Sequence, residues 1–295
     1  MRELWQAWQW DPFVMLGTGV AAAWYWAGVR HLWQHAGWGR AVARRHAWLF
    51  AAGLLVTTLA LVSPLDPIAG ALFAAHMTQH MVLVVVAAPL LVLGRPLLPF
   101  LWALPERWRR RLGRWWAARP SAREGLRLIM LPGVVFVAHA FALGFWHIPR
   151  AYGWAYEHEW IHAIEHASFL VTGGLFWWVV LQPTGRRELG WGAAILYVTA
   201  FAAAAGTFAA VLTFARTPWY VQHLARTAAW GLTPLEDQQL AGLIMWIPAG
   251  LAYLAAASYC FIRWVGADGR AVQAPPLGSV PPTRKRPYAV SPNAS

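Results

Sequence analysis

The chain has 295 residues, 59% of them hydrophobic and 12% charged, with a mean hydropathy of +0.41. That balance excludes a soluble domain and points to a polytopic membrane protein, because several runs approach the roughly 20 apolar residues that cross a bilayer as a helix. The 24 Lys and Arg outnumber the 12 Asp and Glu, but their placement follows membrane topology rather than nucleic-acid binding; the single cysteine, Cys260, excludes an intrachain disulfide and any CxxC metal site.

In chain order, residues 1–12 carry Trp5, Trp8 and Trp10 without a basic cluster leading into an apolar core, so they read as an interfacial aromatic anchor rather than a cleaved leader. A first span is expected over Phe13–Val29 and a second over Ala47–Ser63. The connection between them holds Arg30, Arg40, Arg44 and Arg45, with His31, His35 and His46 expected on the same solvated side. After the short turn SPLDPIAG, a third span runs over Leu72–Gly94 and is stopped by Gly94 and Pro96.

Arg95–Arg127 is the longest polar connection and holds nine arginines, a marker of the cytoplasmic side. A fourth span, Leu128–Trp146, carries His139 and ends in FWHIP, with His147 and Pro149. A fifth begins in EHEWIHAIEHASF and ends near Leu181. A sixth, Trp191–Phe214, is rich in Gly, Ala and Thr, which suits close helix packing. The seventh, Gln239–Ile262, follows a loop with Tyr220, His223, Glu236 and Asp237. Residues 264–295, Pro-rich and containing TRKRP, read as a disordered cytoplasmic tail.

All but four of the 24 basic residues, the exceptions being Arg2, Arg150, Arg216 and Arg226, fall on the odd-numbered connections and the tail. The expected fold is therefore an all-α membrane protein: a seven-transmembrane-helix bundle over residues 13–263, with the N-terminus outside and the C-terminus cytoplasmic.

This topology sorts the chemistry to one side. His76 and His80 open an inward helix, His139 and His147 close an outward one, and His158, His162 and His166 open another. Seven histidines thus gather in the outer half, with Met77, Met81 and Met245 at similar depths. His76 and His80 are four residues apart, as are Met77 and Met81, so all four share one sector of a helix. Imidazole with thioether suits copper, Cu(I) in particular, and ionisable groups at membrane depth mark function. The competing structural reading makes the histidines interhelical hydrogen-bonding groups and the methionines core filler.

The segments HMTQHMVLVVVAAPLLVLGRP, FWHIPRAYGWAYEHEWIHAIEHASFLVTGGLFWW and DQQLAGLIMWIPAG, in this order, resemble the stretches that mark the CtaG family of membrane-embedded assembly factors for caa-type cytochrome c oxidase. The resemblance covers roughly residues 12–263. It implies a role in maturing an aerobic terminal oxidase in a bacterial plasma membrane, with nascent oxidase subunits and a periplasmic copper donor as partners. By motif position it falls on Asp66, His76, His80, His139, His147, His162, His166, Asp237 and Met245. Asp66 and Asp237 are open to two readings, as acceptors that orient imidazoles or take up displaced protons, or as helix caps.

Two rival chemistries use the same residues. His158-Glu159-Trp160-Ile161-His162 matches H-E-x-x-H, the zinc metalloprotease pattern with Glu159 as general base. Pairs such as His80 with His139, or His139 with His166, are candidate axial ligands of a haem-binding electron carrier.

Overall fold

The computed structural model describes residues 7–181 and 189–272, and every regular element among them is helical. The first, α1 (Pro12–Ala36), starts where the Asp11 carboxylate accepts from the Phe13 and Val14 amides, and it ends at Gly37, whose φ of 93° admits no side chain without strain. Next come α2 (Arg44–Val62) and the short α3 (Leu65–Ala69). The third membrane-length helix, Phe73–Leu93, is built in three parts: α4 (Phe73–Met81), a π turn (Val82–Ala87) and α5 (Ala88–Leu93). Pro89 has no amide hydrogen to give to the preceding turn and its ring crowds that turn, so the widened π turn sits where an α-helical ladder would break. Trp177 fixes the turn by donating its indole hydrogen to the Val84 carbonyl at 2.7 Å.

The basic stretch expected as a polar loop is instead helical: α6 (Leu97–Ala103), α7 (Glu106–Ala117) and α8 (Pro120–Ile129). No residue of α7 or α8 is buried. Their arginines lie over neighbouring rings, Arg109 on Trp102 and Arg119 on Trp115, with centroid distances of 4.1 and 5.0 Å. The fourth span, expected from Leu128, begins at Pro132. Here α8 meets α9 (Pro132–Trp146) at a bend of 55°, because Pro132 is the first residue of the new helix and Leu131 before it turns extended.

The remaining helices are α10 (Pro149–Glu157), α11 (Glu159–Leu181), α12 (Trp191–Thr213) and α13 (Pro234–Val272). The last begins five residues earlier than expected and continues past the boundary drawn at 263; the rest of the expected tail, 273–295, lies outside the described residues, as do Trp5 and residues 182–188. Among the described residues, six helices are long and apolar enough to cross a membrane, and the bent α8–α9 pair makes a seventh if it counts as one span.

Large apolar side chains face outward, among them Phe141, Leu196, Leu251 and Leu254, as a lipid-facing surface requires. Close approach draws the helices together at small residues. Gly28 of α1 lies against the Pro99 backbone of α6, where a β-carbon would collide with the Pro99 carbonyl oxygen, and Tyr25 donates to the Gly94 carbonyl at 2.7 Å beside it. Gly242 lets α13 press onto the Ala209 and Thr213 backbone of α12, the longest seam in the bundle. The central core, Phe176, Trp177, Phe201 and Tyr253, joins α11, α12 and α13. His46, expected on the solvated basic side, is buried and donates from Nδ1 to the Leu93 carbonyl at the end of α5, which satisfies a helix-terminal acceptor.

Candidate metal centre

The site grows from the first turns of α4. Leu72 is extended, and the Phe73 and Ala74 amides that open the helix donate to the Asp237 carboxylate of α13, at 2.7 and 3.0 Å. Asp237 thus serves as a cap, supplied by another helix 164 residues away. One turn further on, His76 and His80 stand on the same face of α4, their ring centroids 4.2 Å apart. Gln79 holds the opposite side by donating its amide to Asp66 at 2.8 Å and to the Ala60 carbonyl at 2.9 Å. Asp66 therefore fixes α4 against α2 and α3 through an amide rather than through an imidazole.

Facing α4 is α11, whose His162, Glu165 and His166 point inward. The His76 ring lies 5.3 Å from His162 and 6.1 Å from His166, and the His80 ring lies 5.1 Å from His166. Glu165 completes the group: its Oε1 is 3.6 Å from His76 Nε2 and 3.8 Å from His80 Nε2. Both Glu165 oxygens, both His80 nitrogens and the Nε2 atoms of His76, His162 and His166 are buried without a hydrogen-bond partner. Buried polar atoms are nearly always satisfied, so this many converging orphans describe a place for a ligand. Ligands held about 2.0–2.2 Å from a metal stand roughly 3–3.5 Å from one another; His76 Nε2 and His80 Nε2 stand within a few tenths of an ångström of that spacing from Glu165 Oε1. Among the described residues these three form the one group of three or more His, Cys or carboxylate side chains whose ligand atoms all lie within 4.8 Å of one another.

A cavity of about 1010 Å³ between α1, α2 and α11 reaches His162 and His166, and Asp11, Asp66 and Glu159 lie along its wall. Overhead, Tyr152 of α10 stands edge-on to His76 at 5.1 Å. His223, in a 3-10 turn between α12 and α13, accepts from the Tyr152 hydroxyl at Nε2 and donates from Nδ1 to the Ala71 carbonyl, at 2.6 and 3.2 Å. Both of its nitrogens are used in holding this roof. Burial pulls the His223 imidazole down to about 4, against the opposing hydrogen bond to Ala71. The unfolded chain takes up that proton first, so stability falls as pH drops from about 6.5 toward 4, by about 2 kcal/mol at pH 5. The melting temperature is expected to be lower at pH 5 than at pH 7, and His223→Gln to narrow the difference; an equal difference in the variant would assign it to other groups.

Of the residues expected as ligands, His76, His80, His162 and His166 meet in this cluster. His139, His147, Met81 and Met245 line a separate, smaller cavity that His80 also borders. Met77 is packed in an apolar cluster with Phe73, Tyr152 and Leu212. His158 is exposed and stays at the start of α11, its Nδ1 donating to the Trp154 carbonyl at 3.1 Å. Its backbone is extended, and its carbonyl accepts the Ile161 and His162 amides, so His158 is the residue that opens α11 and the other four of H-E-x-x-H lie on that helix. The cavity bordered by both His80 and His139 has a volume of about 20 Å³, room for a water-sized particle. Glu165 is the member that sequence reasoning missed; a carboxylate inside an apolar span was its signal.

Residues 23–267 match the family described as cytochrome c oxidase caa3 assembly factor, Caa3_CtaG. The chain belongs to the Caa3_CtaG family. It is also 27% identical over 279 residues to an uncharacterised protein of Mycobacterium bovis and to one of Mycobacterium tuberculosis, matches that cover 89% of this chain and 40% of each relative. The chain thus spans about 40% of the length of the curated relatives it matches. No solved structure matches it. Within this Caa3_CtaG chain, the family match takes in the whole of the His and Glu cluster and both helices that carry it.

Proposed function

We propose that this Caa3_CtaG protein binds copper in the outer half of a bacterial plasma membrane and delivers it to a nascent cytochrome c oxidase subunit. The chain crosses seven times, with the α8–α9 pair as one span, the N-terminus outside and the C-terminus cytoplasmic; the arginines of α7 and α8 then lie on the inner face. The observation that carries the proposal is the set of buried, unpartnered donors on His76, His80, Glu165, His162 and His166. An anionic Glu165 offsets part of the charge of an incoming cation, and neutral imidazoles supply the remaining ligands without adding charge.

Copper, the cargo, comes from a periplasmic donor, passes Glu159 and His158 at the start of α11, and reaches His162 and His166 through the large cavity. It then settles among His76, His80 and Glu165. Because α1 and α11 both wall that cavity, transfer to the oxidase subunit is assigned a sideways route within the membrane. The role is carriage and transfer, with no bond made or broken in a substrate.

His76→Ala/His80→Ala is expected to remove the copper ion held at this cluster in purified protein while leaving helical circular dichroism unchanged, and to lower oxidase activity in cells that depend on this chain. A double variant that holds as much copper as the wild type would overturn the ligand assignment, and preferential retention of zinc by the wild type would overturn the choice of metal.

A further inference from the structure

The second cavity is built for a softer donor set than the first. It has a volume of about 20 Å³ and is bordered by His80 and Met81 of α4, by His139 and His147 at the two ends of the outer half of α9, and by Met245 of α13. Two of its imidazoles are fixed in a single tautomer. The His147 Nδ1 lies 2.7 Å from the Leu143 carbonyl, which can only accept, so Nδ1 carries the hydrogen and Nε2 presents its lone pair. The Thr172 hydroxyl spends its one hydrogen on the Ser168 carbonyl at 2.7 Å and must therefore accept from His139 Nδ1 at 2.9 Å, which again leaves Nε2 as the free lone pair. Metal-binding histidines are oriented in this way, by a hydrogen bond from the nitrogen that does not ligate. The His147 Nε2 is buried and has no partner, and Met245 is buried beside it.

We propose that this cavity is a second copper station, where Cu(I) is held by imidazole Nε2 of His147 and His139 together with the sulfurs of Met81 and Met245. The proposal rests on the copper reading of the first cluster, from which the ion arrives. Thioether and imidazole donors favour the cuprous ion, and the volume admits one dehydrated ion but not its water shell. His80 is common to both stations: its Nε2 faces Glu165, and its Nδ1 is a second buried nitrogen without a partner. An ion can therefore pass from the His and Glu cluster to the His and Met cavity while His80 lines both.

The test uses the full chain in detergent, loaded anaerobically with Cu(I) and measured by metal analysis and copper X-ray absorption. The wild type is expected to hold about two copper ions, with sulfur among the scatterers. Met81→Leu/Met245→Leu, which conserves side-chain volume, should keep about one ion in a shell of nitrogen and oxygen. His147→Ala should weaken one of the two binding steps by at least tenfold and leave the other unchanged. A wild type holding one ion without sulfur scattering overturns the second station alone, as does a methionine double variant that keeps both ions. A wild type that holds no copper overturns both stations.

Discussion

Glu165→Leu is expected to raise the melting temperature of the metal-free protein while lowering its copper affinity by at least about 100-fold. Glu165 is 1% exposed, and neither of its oxygens has a hydrogen-bond partner. Its nearest polar neighbours are the His76 and His80 nitrogens at 3.6 and 3.8 Å, too far for a hydrogen bond. A buried carboxyl group without a hydrogen bond destabilises the empty fold, and an apolar side chain of similar volume removes that cost, about 1–3 kcal/mol. At about 2–4 °C per kcal/mol for a chain of this size, the gain is readable by tryptophan fluorescence during heating. The opposite signs carry the argument, since a structural residue would lose stability on replacement and leave copper untouched. A lower melting temperature with unchanged copper affinity would remove Glu165 from the site.

Asp237→Ala acts on the same histidines from a distance and is expected to cost about 2–4 kcal/mol of stability. The carboxylate accepts two α4 amides that have no acceptor within their own helix, and its charge sits at the positive end of that helix. Without it, two buried donors are stranded and the first turn of α4 frays, one turn before His76. Copper affinity should therefore fall along with stability, even though Asp237 does not touch the cluster. Asp237→Asn, which keeps an acceptor oxygen but not the charge, should recover part of both losses. A variant with wild-type melting behaviour would mean that α4 is held by its packing alone.

Most of the helices were legible from hydropathy, because the length of an apolar run is a local property and a bilayer sets what length is needed. The sixth span, for example, was expected at Trp191–Phe214 and is observed at Trp191–Thr213. The basic stretch was misread for a definite reason. Counting arginines assigns a side of the membrane but says nothing of backbone conformation, while Trp108, Leu112, Trp115 and Trp116 recur there at helical spacing. The H-E-x-x-H pattern straddles a helix start: His158 is extended and the other four residues lie on α11, a boundary that a five-residue match does not reveal.

The sequence by itself determined where most of the membrane-length helices lie and that the bundle belongs in a membrane, and it pointed to seven histidines, His76, His80, His139, His147, His158, His162 and His166, gathered toward one side. These follow from periodicity, composition and charge placement, all of which are read along one strand of chain. Only the tertiary structure decided that Glu165 joins those histidines, that Asp237 caps α4, and that His139, His147, Met81 and Met245 border a separate cavity with His80. Each of those outcomes depends on how helices far apart in sequence are rotated and set in depth against one another. Close contacts such as Gly242 on α12 and the π turn before Pro89 set that rotation, and a shift of one residue in a helix turns its side chains by about 100°.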